Sequence, residues 1–417
     1  MKKAILWFTK NLRIQDNIMI NWAVENEYQV MAVAFEPTNK SEQQKFYYLQ
    51  AAYEIQEKFK KLNISFLILK GWPEFEIPKW VKSNAVDLVL TQDTYNTKDS
   101  KIISKLKENL GSDQIKTFYD RTLIEINDLP FNIQDMPFVF TSFRKAIEKK
   151  LIIRKPLPSL YEKLSGFSVA IPDGAIFSDT ESDPQKTIFP FDIKSSESAS
   201  WKRLEEYFFE TQSLSNYKTT RNGMLEKNDS SKLSIGLSLG TISAKSIYDE
   251  LKNYEDQFGK NESTEWFVME LFWRDYFKFL SLKIGHKLFS INGLSQKPRS
   301  WETDSNLFQK WCDGETGSDF VDANMLELNQ TGWMSNRGRQ NVASFLSKNL
   351  YIDWTLGADY FEKNLVDDDP ESNWGNWLYV SGSGTDPRDR TFNIQRQADM
   401  YDPQSDYRNK WLKKAKP

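Results

Sequence analysis

The sequence predicts an α/β N-terminal domain on a doubly wound parallel sheet, followed by an all-α C-terminal domain. Over the first 120 residues, short apolar runs alternate with amphipathic segments, the pattern of repeated β-α units with helices on both faces of a sheet. From residue 201 onward, apolar residues recur at three- and four-residue spacing nearly throughout, which marks helices. Between these zones Pro130, Pro137, Pro156, Pro158, Pro172, Pro184 and Pro190 interrupt any long element. The expected divisions are 1–125, a connector over 126–200, and 201–417.

In the first zone "KAILWF", "QVMAVAF", "ISFLIL", "VDLVLT" and "QIKTFY" read as buried strands, with helices over 16–25, 42–62, 73–83 and 97–110. No GxGxxG follows the first strand, so the ordinary dinucleotide fingerprint is missing. The connector holds one short helix near "SFRKAIEK" and two polar stretches, "SDTESDPQ" and "KSSESAS". Beyond it, "ASWKRLEEYFFE", "TISAKSIYDELKNYE", "STEWFVMELFWRDYFKFLSLK" and "NRGRQNVASFLSKNL" read as helices, and a ligand is expected between them.

Bulk properties narrow the function. A chain of 417 residues exceeds a single core. The net charge is −3, from 55 basic and 58 acidic residues, so contact with a polyanion requires a local patch. The lone cysteine, Cys312, excludes an internal disulfide and fits a reducing compartment. The apolar run Ala4–Phe8 is too short for a signal sequence, and no stretch reaches the length of a membrane span. A cytoplasmic protein is expected. The single histidine, His286, excludes a polyhistidine metal site, and no metal is expected. Aromatic residues make up 14%, which suits either a dense core or a site that stacks flat rings.

Four stretches could carry chemistry. In "EWFVMELFWRDYF" the residues Trp266, Glu270, Trp273 and Arg274 share one helix face. They could form a functional wall, or Glu270 and Arg274 could form a plain surface pair with the indoles turned inward. "TGWMSNRGRQNVASFLSK" aligns Asn336, Arg339 and Ala343 on a face, as anion donors or as a mere cap. "NDSSKLSIGLSLGTIS" places Ser230, Ser231, Ser234 and Ser238 around a helix start, where phosphates can bind. Finally, "LVDDDPESNWGNWLYVSGSG" sets three aspartates beside Trp374 and Trp377, as a solvated loop or as a paired site.

Taken in order, these segments resemble the photolyase/cryptochrome family, its DASH branch in particular. The resemblance runs from "WFTKNLRIQDN" through "YKTTRN", "SSKLS", "WFVMELFWRDYF", "TGSDFVDANMLELNQTGWMSNRGRQNVASFL" and "DWTLGADYFEKNLVDDDPESNWGNWLYVSGSGTDPR" to "YDPQSDYRNKW". Thr9 and Asn11 depart from the family's usual opening. The resemblance implies that the helical domain binds FAD. Tyr217 and the segment Ser230, Ser231, Lys232, Leu233 and Ser234 match contacts to its phosphates. Arg274, Asn336, Arg339, Asp367, Asp369 and Asn373 match residues around the diphosphate, ribityl and ring portions, with Trp266 and Asp368 in the same set. Asp367 would pair with Arg339 beside the ring, Asp369 would accept from the ring or the adenosine edge, and Asn373 would place its amide near flavin N5. Asp368, between them, would face outward.

The same resemblance implies a relay of Trp377, Trp354 and Trp301 toward the surface, with Trp311 structural. It implies blue-light repair of cyclobutane pyrimidine dimers by electron transfer from reduced FAD, with the lesion taken out of the base stack. Glu270 would hydrogen-bond the dimer and Trp273 would stack on it, while Arg221, Arg337 and Gln397 lie at or near the DNA backbone. Gln340 and Tyr379 stand where classical dimer photolyases carry Met and Trp, and both look like DASH proteins, which favour single-stranded DNA. DASH relatives bind a folate antenna, methenyltetrahydrofolate, between the domains, and a monomer is expected. The alternative is a blue-light photoreceptor, a signalling cryptochrome, that binds DNA with little repair.

Overall fold

A computed structural model describes residues 1–178, 191–295, 299–384 and 390–414. The strands are β1 (Lys3–Phe8), β2 (Gln29–Phe35), β3 (Phe66–Leu69), β4 (Leu88–Gln92) and β5 (Ile115–Phe118). They alternate with α1 (Ile18–Glu25), α2 (Glu42–Lys61), α3 (Pro73–Asn84) and α4 (Thr97–Leu110). All pair in parallel, in the order β3-β2-β1-β4-β5, the doubly wound sheet expected. The strand runs are apolar without alternation because each face has its own core. Ala4, Leu6 and Phe8 pack with Met19, Ile20 and Ile55 of α1 and α2, whereas Ile5 and Trp7 pack with Ile77, Trp80 and Leu106 of α3 and α4.

The predicted extents hold to within about two residues. The expected start of α1 at residue 16 is displaced for a local reason. Asp16 lies in the left-handed region at φ 47°, and Asn17 caps the helix by accepting from the N–H groups of Met19 and Ile20.

The connector contains α5 (Phe140–Glu148), as expected, and β6 (Ser165–Gly166), a short parallel strand on β2 that the sequence did not announce. Phe143 and Ile147 of α5 are buried in the core of the helical half. Pro184, Pro190 and most of "SDTESDPQ" lie outside the described residues.

The helical half comprises α6 (Glu197–Glu205), α7 (Tyr217–Thr220), α8 (Ser234–Leu239), α9 (Ala244–Phe258), α10 (Glu262–Ile284), α11 (Ser305–Asp313) and α12 (Asp319–Thr331). It continues with α13 (Asn336–Ser344), α14 (Trp354–Asn364), α15 (Pro370–Ser381), α16 (Ile394–Tyr401) and α17 (Asp406–Lys414). Its spine is α10, 23 residues long and fixed at its start by a capping box between Asn261 and Thr264. Cys312 is buried, which pushes its thiol up to about 12, and His286 is exposed. Among the described residues no helix is long and apolar enough to cross a membrane.

The halves meet through polar contacts. Arg13 Nη1 donates to the Gly240 carbonyl at 3.1 Å, and the Glu197 carboxylate accepts from the N–H groups of Ile14 and Gln15. Gly240 has φ 71°, and a Cβ there would stand 1.8 Å from the Lys10 carbonyl oxygen, so only glycine permits this approach.

Candidate functional site

The helices α8, α10, α13 and α15 enclose a cavity of about 700 Å³, within the size range of cofactor and ligand sites. Trp266, Glu270, Trp273 and Arg274 all line it, as their shared helix face requires. The alternative of a local Glu270–Arg274 pair is not what forms. Glu270 pairs with Arg221, just past α7, and accepts from Trp266 Nε1 at 3.1 Å. Burial pushes the Glu270 carboxyl above its usual range, against the pull of Arg221 and the indole N–H. Arg274 turns away, donating to the backbone carbonyls of Arg121 and of Leu237, the latter at 3.1 Å. One face of Trp273 is covered by Phe140 of α5, with ring centroids 3.5 Å apart and planes 9° apart. Tyr379 meets Trp273 edge-on at 6.0 Å.

From α13 come Asn336, Arg337, Arg339 and Gln340. Ser335 caps the helix by accepting from the Gly338 N–H at 3.0 Å. Arg339 Nη2 lies 2.9 Å from both carboxylate oxygens of Asp367. Arg337 sits over the Tyr401 ring at 4.5 Å and reaches Asn222 at 3.2 Å. The Gln340 Oε1 and Arg337 Nε atoms are buried without a protein partner.

The three aspartates before α15 point to three places. Asp367 takes Arg339. Asp369 pairs with Arg121 and with Lys278 Nζ at 2.6 Å, and accepts from the Ser372 hydroxyl at 2.8 Å. Burial favours a proton on Asp369, but Lys278, Arg121 and Arg274 outweigh it and hold the carboxyl well below its usual range. Asp368 corrects the expectation that it faces outward: its side chain is 5% exposed and meets Lys40 of the N-terminal half at 3.0 Å. The direction away from its neighbours was right, but the other half of the chain lies there instead of water. Burial pushes the Asp368 carboxyl up to about 6 against the nearby Lys40 ammonium.

A smaller cavity of about 110 Å³ continues the first, sharing Asn336, Arg339, Gln340, Asp367 and Asp369 with it, and is lined also by Asn373 and Trp377. Asn373 Nδ2 donates to the Ala358 carbonyl at 2.9 Å. Ser234 and Ser238 of α8 line the large cavity, whereas Tyr217, Ser230, Ser231, Lys232 and Leu233 line neither. Lys232 instead lies over the Trp333 ring at 4.4 Å and donates to the Ser230 hydroxyl at 3.1 Å. Leu233 and Tyr217 are core residues, the latter against Phe267 at 5.0 Å. Gln397 on α16 accepts from Asn341 Nδ2 at 3.5 Å.

Among the tryptophans, Trp354 and Trp377 are buried and Trp301 is half-buried. Trp377 meets Phe361 at 5.2 Å and Trp311 at 6.0 Å, and Trp354 meets Trp374 at 5.9 Å. Sequence reasoning missed Phe140, Lys278, Glu371 and Arg121. Lys278 had a signal, since it follows Arg274 by one turn on α10; the others are brought in by tertiary approach alone.

A separate cavity of about 290 Å³ lies between the halves, at the carboxyl ends of β1 and β4, where Thr9, Lys10, Gln92 and Thr94 meet Asp368 and Ser238. That is the topological switch point of the sheet, the usual ligand crevice of such folds. Two buried atoms on residues of its wall, Arg121 Nε and Asp368 Oδ1, have no hydrogen-bond partner in the protein.

The large cavity's residues fit FAD. Arginines and serines supply donors for a diphosphate, and the orphaned Gln340 Oε1 awaits a donor. Residues 4–161 match the family model "DNA photolyase", and residues 267–417 match "FAD binding domain of DNA photolyase". The cryptochrome DASH of Synechocystis is 39% identical, aligned over 99% of this chain and 88% of the relative, and that of Danio rerio 38%, over 99% and 83%. The crystal structure of the Synechocystis cryptochrome superposes with a TM-score of 0.94 at 38% identity, covering 99% of this chain and 89% of that one. A bacterial class III photolyase from Agrobacterium tumefaciens gives 0.85 at 25% identity, covering 99% and 87%. An archaeal photolyase from Sulfolobus tokodaii, solved with two FAD molecules, gives 0.78 at 25%, covering 100% and 91%.

Proposed function

Because this chain belongs to the photolyase/cryptochrome family, in its cryptochrome DASH group, we propose that it repairs cyclobutane pyrimidine dimers under blue light, with single-stranded DNA as the favoured substrate. The observation that carries this reading is one cavity lined by two kinds of residue. Asp367, Asp369, Arg339 and Asn336 line it together with Glu270, Trp273, Gln340 and Tyr379, and Arg221 and Arg337 line it too.

Reduced FAD, when bound, supplies a light-driven one-electron donor. Asp367 with Arg339, and Asp369 with Lys278, would hold it, and Asn373 would meet its ring. Ser234 and Ser238 would take phosphate oxygens, with Tyr217 and the Ser230–Leu233 segment bracing α8. The repair needs no base or nucleophile, so the remaining residues bind and orient. Glu270, whose burial favours a proton, would hydrogen-bond a dimer carbonyl. Trp273, backed by Phe140, would stack on the dimer, and Arg221, Arg337 and Gln397 would meet the DNA backbone. Trp377, Trp354 and Trp301 would carry an electron in from the surface.

A net charge of −3 and a polar pocket bearing Gln340 and Tyr379 offer little to offset the cost of flipping bases from a duplex. That supports the single-strand preference. The cavity between the halves, with Trp7, Phe35 and Trp72 for stacking and its two orphaned polar atoms, is our candidate seat for a folate antenna.

The test is to photoreduce the purified holoprotein and follow dimer loss in irradiated oligothymidine, single-stranded and duplex, with a dark control. Fast light-dependent loss in the single strand is expected. Unchanged dimers beside normal flavin photoreduction would overturn repair in favour of light sensing.

A further inference from the structure

Arg121 belongs to the N-terminal half, three residues past β5, yet it is built into the wall behind the large cavity. Its backbone is clamped by α10: Arg274 donates to its carbonyl, and Asp275 accepts from the N–H groups of Leu123 and Ile124 at 3.0 and 2.8 Å. The side chain is thereby aimed at the start of α15. There Nη2 pairs with Asp369 and stands 3.3 Å from Glu371. Glu371 is completely buried and also takes Lys278 Nζ at 3.0 Å and Asn96 Nδ2 at 2.6 Å. Two buried carboxylates thus face three cations, Arg121, Lys278 and Arg274, the last 3.7 Å from Asp369. Asp369 lines the cavity; Arg121 does not touch it except through Asp369.

We propose that Arg121 is a positioning residue of the flavin cavity, supplied by the opposite half of the chain, which fixes the Asp369 carboxylate and sets the net charge along that wall of the cavity. The inference rests on the FAD assignment above. Lys278 and Arg274 do not replace it, because Arg274 stands 3.7 Å from Asp369 with its guanidinium committed to backbone carbonyls, so one ammonium is left to bond both carboxylates, and a buried carboxylate left underpaired is strongly unfavourable. Loss of the guanidinium charge also makes added electron density in the cavity less favourable, so the flavin potential should move negative.

The test compares wild type, R121M and R121K for FAD dissociation constant and flavin midpoint potential, with thermal unfolding of each apoprotein as the check on folding. R121M is expected to bind FAD roughly tenfold more weakly and to show a more negative potential. R121K, which keeps the charge and loses the fork, should return the potential toward wild type while recovering only part of the affinity. R121M with wild-type affinity and potential overturns the inference. Should R121M not fold, R121K decides alone, and an unchanged affinity there overturns it. Wild type that takes up no FAD overturns the flavin assignment and this inference together.

Discussion

Glu327 on α12 is 1% exposed, with the Tyr407 hydroxyl 2.6 Å from its Oε2. Burial pushes its carboxyl up to about 8 from an ordinary 4.5, against the pull of Tyr407 and Lys232. A carboxyl raised on folding contributes stability that is complete below its unfolded pKa and lost as pH rises through the folded one. Asp275 and Asp368, both pushed up to about 6 by burial, act at lower pH. Lys232 and Lys278, both drawn down to about 8 by burial, act at higher pH, where stability grows as pH climbs toward their ordinary 10.5. The interval from about pH 6 to 8 lies above the folded values of Asp275 and Asp368 and below the range of the two lysines, and the Glu327 carboxyl keeps its proton through most of it. Wild-type stability should fall across it with a slope of up to about 1.4 kcal/mol per pH unit. E327Q should flatten that slope, as thermal melts at a series of pH values would read; parallel curves for the two proteins would contradict it.

Among the elements, α13 depends on one glycine. A Cβ on Gly338 would stand 2.0 Å from Asn324 Oδ1, and Asn324 is held in place by its bonds to Phe320 and Tyr407. Alanine would favour the helix by about 0.5–1 kcal/mol, but overpacking a rigid neighbour costs about 1–3 kcal/mol, so the clash wins. G338A should lower the melting temperature and, by shifting Arg339 and Gln340, weaken FAD retention severalfold, measured by flavin absorbance after dialysis. The helix itself was legible from three-to-four spacing, and so were the five strands, because strands buried on both faces leave unbroken apolar runs. The side chains that α10, α13 and α15 present were legible from spacing together with the family resemblance. Glu270's partner was not, since a helix face shows which residues are neighbours along one element and nothing of Arg221 arriving from another. Asp368 was half legible: the resemblance implied that it turns away from its neighbours, and only the packed structure shows Lys40 there. Arg121, in a loop without periodicity, left no signal at all.

At the scale of the whole molecule, the halves are joined by charges and backbone bonds as well as by apolar packing, such as Tyr47 with Ile235, Trp333 and Val366. Arg13, Lys40, Arg121 and Asn96 reach from the first half, and Gly240, Asp368, Asp369 and Glu371 receive them. Such buried pairs are little screened by salt, so the protein should unfold in one transition whose midpoint barely moves between low and physiological ionic strength. Calorimetry that resolves two transitions would refute this. A further consequence concerns inheritance. Since the counter-ions of Asp368, Asp369 and Glu371 are partly encoded more than two hundred residues upstream, neither half can drift alone. A descendant that loses the arginine at 121 must alter α15 to match, and a hybrid joining this helical half to a relative's first half inherits a charge balance written for another partner.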